Sequence, residues 1–353
     1  METKTPAFSK PYPGDEAFMQ RALDLASLGE GRVSPNPMVG CVIVLENEII
    51  GEGYHEQYGE AHAEPNAIKT VKNKSLLQNA TLYVSLEPCA HHGKTPPCAE
   101  LIARHRLKKV VIGALDSNPL VAGKGISLLR AAGIEVVSGV LEEKVRLQNR
   151  RFFTRMEKKR PYILLKWAQT KDRFIARTNF DSKWISSALS RQLVHRWRTE
   201  EDAIMVGTHT AHYDNPRLNV RDWTGKDPIR VLIDRQLRLS PELNLFDDSQ
   251  HTLIYNYKQE KTIGQTYWIQ VREPFDLHAL LEDLQQKGVQ SLLVEGGAAL
   301  LQDFIRQGLW DEARVFTGNL RFGLGIPAPV LPGLPEKRFS LETDVLETYF
   351  NHE

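Results

Sequence analysis

The sequence predicts an α/β protein built of two successive units, and three observations carry that prediction. At 353 residues the chain is longer than one hydrophobic core usually serves. Apolar strand-like runs alternate with amphipathic helix-like stretches through both halves, the mark of layered α/β domains. A basic stretch, NRRFFTRMEKKR (149–160), interrupts this alternation near the middle and is expected to be a solvated helix end at the boundary. The expected domains are therefore 1–150 and 151–353.

Residues 1–13 read as a loose tail. Asp15 is placed to cap a helix running to about Leu28, with Phe18, Ala22, Leu25 and Ala26 near helical spacing. VGCVIVLEN (39–47) and IIGEGYH (49–55) read as paired strands joined by a turn at Glu46–Glu48. A helix is expected from about Ala63 to Val71, with Pro65 tolerated in its first turn. TLYVSL (81–86), KKVVIGAL (108–115) and IEVVSG (134–139) read as strands, separated by helices at 96–106 and about 125–132. In the second half PYILLKWAQT (161–170), DAIMVG (202–207), PIRVLIDR (228–235), HTLIYNY (251–257), YWIQV (267–271) and SLLVE (291–295) are expected strands. Helices are expected at 187–200 and about 277–287, and over AALLQDFIRQG after the Gly296–Gly297 turn. Together these make a doubly wound unit.

Composition excludes several classes. The formal net charge of +1 gives no basic footprint for nucleic acid. No apolar run is long enough to cross a bilayer, and METKTPAFSKPYPGDE lacks the apolar core of a secretory signal. Three cysteines make no disulfide framework, so a reducing cytoplasm is expected, with thiols free for metal or chemistry.

The strongest chemical signal is His62-Ala63-Glu64, followed by Glu87-Pro88-Cys89 and Pro97-Cys98. One histidine and two cysteines suit zinc, and three protein ligands leave a fourth position for water, as catalytic sites do. Glu64, two residues past the histidine, can shuttle protons without binding the metal. Zinc deaminases carry H-x-E…P-C-x-x-C. Here eight residues separate the two cysteines, and the insert AHHGKTPP carries His91, His92, Lys94 and Thr95, a composition suited to an anion such as phosphate. Cys41 lies in an apolar strand and is expected to be core.

With PNPMVGCVIV (35–44), GEGYH (51–55), HAE (62–64), LEPCAHHGKTPPC (86–98) and DSNPLVAGKG (116–125), the chain resembles the bifunctional riboflavin-biosynthesis enzymes, a diaminohydroxyphosphoribosylaminopyrimidine deaminase joined to a 5-amino-6-(5-phosphoribosylamino)uracil reductase. The resemblance continues through KWAQTKD (166–172), DSKWISS (181–187), HRWRTEEDAIMVGTHTAHYDNPRLNVR (195–221) and LLVEGGAALLQDFI (292–305). It implies a cytidine-deaminase-like layered domain followed by a dihydrofolate-reductase-like doubly wound domain. It also implies one zinc per chain, NADPH as reductant, a phosphorylated pyrimidine substrate, and a homo-oligomer, a dimer or tetramer. By resemblance His62, Cys89 and Cys98 hold zinc, Glu64 is the proton shuttle, and Asn36, His55, His91 and Lys94 contact substrate.

The second half lacks G-x-G-x-x-G, but VGTHT (206–210) and VEGGAAL (294–300) place glycine turns after strands, where free N–H groups suit phosphate. The resemblance puts Lys166, Ser182, Arg198, Leu218, Arg221 and Glu295 around the substrate, with Arg198 and Arg221 as its phosphate clamp. Ala168, Trp184, Thr210, Asp214 and the turn from Gly297 line NADPH. Three departures stand out. Pro65-Asn66 follows Glu64, where the family more often has an aliphatic residue and then a histidine. Arg173 stands where the family has glycine, so the turn there is expected to be altered locally with activity surviving. Two other classes compete: a deaminase of another nucleobase, such as tRNA adenosine, with an unrelated second domain, and a zinc-bearing binding protein without turnover.

Overall fold

Strands that alternate apolar side chains between two faces need cover on both, and the first unit supplies it with helices above and below one sheet. The computed structural model describes residues 14–90, 96–118 and 121–352. The chain divides into two compact units, through Lys158 and from Lys159.

The first unit runs α1 (Asp15–Ser27), β1 (Gly40–Leu45), β2 (Glu48–Tyr54), α2 (Ala63–Thr70), β3 (Thr81–Leu86), α3 (Cys98–Arg104), β4 (Lys109–Ala114), α4 (Lys124–Ala131), β5 (Glu135–Ser138), α5 (Glu142–Gln148) and α6 (Arg150–Glu157). The sheet order is β2-β1-β3-β4-β5, with β1 antiparallel to both neighbours and β3-β4-β5 parallel. The β1–β2 turn forms because Glu46 and Asn47 both take positive φ, the backbone a tight hairpin demands. Cys41 and Ile43 face α2, α3 and α4, while Val42 and Val44 face α1. Cys41 is fully buried core, as expected. A Cβ on Gly40 would lie 1.9 Å from the Ala22 carbonyl, so glycine alone lets α1 approach β1 this closely.

Asp15 does not cap α1. Gly14 is the N-cap, and the Asp15 carboxylate turns inward to accept from the Tyr83 hydroxyl at 2.7 Å and the Lys109 ammonium at 3.2 Å. Lys109 is buried, and an unpaired buried ammonium costs more than a missing helix cap. The basic stretch is also less solvated than its composition implies. Phe152 and Phe153 of α6 are buried against Leu23, Leu86 and Val145 of the first unit.

The second unit runs β6 (Tyr162–Gln169), β7 (Phe174–Ala176), α7 (Ala188–Glu200), β8 (Ala203–Gly207), α8 (Thr208–Asp214), β9 (Ile229–Ile233), β10 (Thr252–Asn256), β11 (Lys261–Ile263), β12 (Thr266–Gln270), α9 (Leu277–Gln286), β13 (Ser291–Gly296), α10 (Ala298–Arg306), β14 (Glu312–Thr317), β15 (Ile326–Pro327), β16 (Lys337–Leu341) and β17 (Asp344–Phe350). Ten strands form one sheet, β11-β12-β10-β9-β8-β13-β6-β14-β17-β16, whose seven central members from β12 to β14 are parallel. Leucines of α9 and α10 cover one face, while α7 and α8 cover the other. The doubly wound core is thus as expected, extended at one edge by the antiparallel pair β17 and β16.

The Arg173 turn is kept rather than altered. Arg173 holds φ +62 and donates its N–H to the Thr170 carbonyl at 2.9 Å. The Asp172 carboxylate fixes the turn from outside by accepting from the Thr170 hydroxyl and the Phe322 and Gly323 amides. A side chain in this left-handed region costs about 1 kcal/mol. Arg173→Gly should therefore stabilise the second unit by about that amount. Tryptophan fluorescence during denaturant unfolding reads this unit alone, since every tryptophan lies beyond residue 160. An unchanged or lower midpoint would show that the arginine carries no such strain.

Candidate active sites

Both cysteine ligands and the histidine reach one point because three segment ends converge. His62 is the N-cap of α2, Cys98 opens α3, and Cys89 follows β3 through Glu87-Pro88. The His62 Nδ1 lies 3.6 Å from the Cys89 Sγ and 3.4 Å from the Cys98 Sγ. All three donor atoms lie within 4.8 Å of one another. Zinc at about 2.0 Å from nitrogen and about 2.3 Å from sulfur in a tetrahedron sets N···S at about 3.5 Å. The triangle therefore fits zinc without rearrangement.

The surroundings favour thiolate at Cys89, while the neighbouring Cys89 and burial push the Cys98 thiol up. The Cys98 amide at the start of α3 donates to the Cys89 Sγ at 3.3 Å, as helix N-termini do for anions. The Cys98 thiol, opposed by burial and helped by His62, pulls the Cys89 thiol down to about 4. Glu64 sits one residue into α2, is 3% exposed, and lies against the Cys98 thiol. Burial pushes its carboxyl above the usual range, against the pull of His62. A carboxyl so raised is suited to taking and returning a proton near neutrality. Pro65 leaves this placement intact.

Asn36 and His55 form a fixed chain. The His55 Nδ1 lies 3.0 Å from the Ala61 carbonyl, which makes it the protonated nitrogen, and its Nε2 then accepts from the Asn36 amide at 3.1 Å. Both ring nitrogens of His55 are thus engaged within the protein, and the Asn36 carbonyl oxygen is the group left to offer. Asn66 is also engaged internally, donating to the Tyr54 carbonyl at 2.8 Å. His91 and Lys94 lie outside the described residues.

Glu87 was assigned no role from sequence, yet it builds this site. Its buried carboxylate accepts from the backbone N–H groups of Asp116, Gly123 and Ile126 at 3.4, 3.0 and 3.3 Å. It thereby ties the loop after β4 and the start of α4 to the segment carrying Cys89. The only sequence signal was its place in Glu-Pro-Cys.

In the second unit the carboxyl ends of the parallel strands open into one cavity of about 1500 Å³. Ligands of open α/β sheets bind at this edge. The volume exceeds the roughly 300–1000 Å³ of a single small-ligand pocket, leaving room for a dinucleotide beside a substrate. Lys166 and Ala168 of β6 reach it, as do Ser182 and Trp184 of the loop after β7, Arg198 of α7, Thr210 and Asp214 of α8, Leu218 and Arg221 beyond it, Glu295 of β13, and Gly297, the N-cap of α10. Every reductase-half residue singled out from sequence therefore lines the same space. A Cβ on Gly297 would lie 3.1 Å from the Thr210 hydroxyl, so a larger residue would crowd this turn.

At its centre is a buried carboxylate with two cations. The Arg198 Nε and Nη2 donate to Glu295 at 2.8 and 2.9 Å, and the Lys166 Nζ lies 3.8 Å from it. Burial alone would raise Glu295, but Arg198 and Lys166 together outweigh it and hold the group at about 2. Burial lowers Lys166, against the pull of Glu295. Glu295 takes two of the Arg198 N–H groups, and the Arg198 Nη1 donates to the Asn219 carbonyl at 2.9 Å. Arg221 is exposed and has no carboxylate partner among the described residues. His195, which sequence reasoning also passed over, is held neutral at about 4 by burial and the flanking Arg198 and Arg221. Its Nδ1 accepts from the Arg221 amide at 3.4 Å, which sets the loop carrying Arg221. Ser182 donates to Asp214 at 3.0 Å, and burial raises Asp214.

The ligand triangle predicts that Cys89→Ser protein loses most of its zinc while wild-type protein holds one equivalent per chain. Metal analysis of purified protein decides this, and full retention by the variant would remove Cys89 from the site.

Comparison with known proteins finds relatives of both units. Residues 13–114 match the profile of the cytidine and deoxycytidylate deaminase zinc-binding region, and residues 161–348 match the RibD C-terminal domain. The riboflavin biosynthesis protein RibD of Aquifex aeolicus is 41% identical over 318 residues, covering 88% of this chain and 89% of that protein. The Escherichia coli protein of that name is 36% identical over 321 residues, covering 86% and 87%. A crystal structure from Thermotoga maritima, a diaminohydroxyphosphoribosylaminopyrimidine deaminase/5-amino-6-(5-phosphoribosylamino)uracil reductase, superposes with a TM-score of 0.86 at 36% identity, covering 96% and 98% of the two chains. With relatives this similar along nearly their whole length, and a zinc triangle and a strand-end cavity where two such activities need them, the chain belongs to the RibD family of riboflavin-biosynthesis proteins.

Proposed function

We propose that the chain carries out two consecutive steps toward riboflavin: deamination of 2,5-diamino-6-ribosylamino-4(3H)-pyrimidinone 5′-phosphate in the first unit, then reduction of its ribosyl group to ribityl in the second. The observation that carries this is the His62, Cys89, Cys98 triangle with Glu64 buried against it. Deamination of another nucleobase beside an unrelated second domain is not favoured, because the RibD profile extends through the second unit.

In the first unit zinc supplies Lewis acidity that makes water a nucleophile near neutral pH. Glu64, raised by burial, would carry the proton that must reach the departing amine nitrogen of pyrimidine C2. Asn36, its amide nitrogen held by His55, offers its carbonyl oxygen to a donor on the substrate. His91 and Lys94 are placed in the role of phosphate contacts by composition.

In the second unit NADPH supplies a hydride for C1′ of the ribosyl group. The protein's share is geometry and protons. Opening of the ribose ring puts a proton on the ring oxygen, and Lys166, whose hold on its proton burial weakens, can supply it. Glu295 keeps Lys166 in place and Arg198 keeps Glu295 charged. Arg221 takes the substrate phosphate, while Ser182 and Leu218 bound the substrate. Ala168, Trp184, Thr210, Asp214 and the Gly297 turn hold the cofactor. We also propose a cytoplasmic homo-oligomer. No described helix is long and apolar enough to cross a membrane, and Leu324, Val330, Leu334 and Phe339 are exposed apolar side chains.

Glu64→Gln should keep zinc and lose deamination by about 100- to 10,000-fold. Reduction of the already deaminated substrate should be untouched, and near-normal product formation by mass spectrometry would remove Glu64 from the mechanism. In the second unit Arg221→Gln should raise the KM for the deaminated substrate about tenfold or more with kcat little changed, as expected for lost phosphate binding. Arg198→Gln should lower kcat instead, because Glu295 loses its partner; the opposite pattern would exchange their roles. Deuterium carried on C4 of NADPH should appear at C1′ of the ribityl product, and its absence there would mean that the second unit is not this reductase.

A further inference from the structure

The cofactor's adenosine end is the part of the second site that the family wording left unassigned, and the loop after β9 supplies residues for it. Where a dinucleotide enzyme selects the unphosphorylated cofactor, an acidic side chain past a neighbouring strand accepts from the ribose 2′-hydroxyl. Where it selects the phosphorylated one, arginine stands there. The acid in this chain is Asp234, directly after β9, and it is 2% exposed. Its two oxygens accept from the backbone N–H groups of Arg238 and Leu239, each at 3.1 Å. Asp234 is thus turned inward to close its own loop.

That closed loop puts two cations in the same cavity. Arg235 and Arg238 are both exposed, both line the space, and neither has a carboxylate partner among the described residues. Arg306, across the cavity on α10, is by contrast paired with Asp303 at 2.8 Å. The Arg235 guanidinium stands 5.7 Å from the Phe275 ring centroid, and Phe275 with Tyr257 gives the cavity aromatic walls at this end. In the sheet β9 is separated from β13, which leads into the Gly297 turn, only by β8. Two strand spacings are about 10 Å, a distance one nucleotide spans.

We infer that Arg235 and Arg238 form the binding site for the 2′-phosphate of the cofactor and are the residues that select NADPH over NADH. This rests on the reductase function proposed above. Two guanidinium groups meet a phosphate dianion through charge-assisted, bidentate hydrogen bonds, whereas a 2′-hydroxyl offers them only a single neutral acceptor. The inward Asp234 leaves no compensating acceptor for NADH.

The test is equilibrium binding, read by calorimetry on the full-length protein with NADPH, NADH, 2′,5′-ADP and 5′-AMP as separate probes. For Arg235→Gln and Arg238→Gln the NADPH and 2′,5′-ADP dissociation constants should each rise about 10- to 100-fold, the worth of a hydrogen bond to a charged group. Those for NADH and 5′-AMP should stay within about twofold, and the double variant should bind NADPH no better than NADH. Both side chains are exposed, so the variants fold, and unchanged NADH binding confirms it in the same experiment. Equal weakening of NADPH and NADH, or no change in either, would overturn the assignment alone. Wild-type protein that binds neither dinucleotide would overturn the reductase function and this inference with it.

Discussion

A carboxylate taken out of water must be protonated, hydrogen-bonded or paired with a cation, and three glutamates answer that demand in three ways. Glu87 is met by three backbone N–H groups and becomes a structural tie. Glu295 is met by Arg198 and Lys166 and stays charged at about 2. Glu64 has only His62, the Cys98 thiol and its own backbone N–H to set against burial, and burial lifts it, so of the three it is the one suited to exchange a proton. The same residue type at similar depth thus yields a brace, a fixed charge and an acid–base. Neighbours, not identity, decide which.

Those neighbours are delivered by where secondary structure ends. In the first unit two helix N-termini, at His62 and Cys98, point toward the end of β3 that carries Cys89. Free N–H groups at such ends favour thiolate, and the Cys98 amide reaches the Cys89 sulfur directly. In the second unit the parallel strands all release their chain at one edge, so residues from β6, β8, β9 and β13 meet there although more than a hundred positions separate Lys166 from Glu295. A parallel sheet brings such distant positions together without any long loop.

What was legible in the sequence follows this division. His62, Glu64, Cys89 and Cys98 could be read because metal ligands leave a composition and spacing that few other needs produce. The parallel core strands could be read because burial on both faces makes them plain apolar runs. β14 could not, since EARVFT interleaves charges with apolar residues. Glu312 and Arg314 are buried as a pair, with Glu312 accepting from the Tyr162 hydroxyl and the Arg314 guanidinium lying over the Trp197 ring. Asp15 looked like a cap because nothing local shows that Tyr83 and Lys109 will close on it. Nor does anything local show that Arg198 pairs with Glu295, 97 residues away. Local chemistry was visible, while charges that find distant partners were not.

Net charge hid the most consequential pattern. The chain sums to +1, which says nothing of how charge is distributed. Lys166, Lys183, Arg191, Arg198, Arg217, Arg221, Arg235, Arg238 and Arg306 line the second cavity against Asp214, Asp234, Glu273, Glu295 and Asp303. Nine cations facing five acids inside one concave space make a local field for anions that the average over the whole chain cancels. Several of the acids are further withdrawn from it: Glu295 is bound by Arg198, Asp303 by Arg306, and Asp234 by its own loop. The positive excess left over is what a cavity needs to hold a phosphorylated substrate and a phosphorylated dinucleotide together. Both anions would repel each other in water, and the surplus cations lining the cavity offset that repulsion.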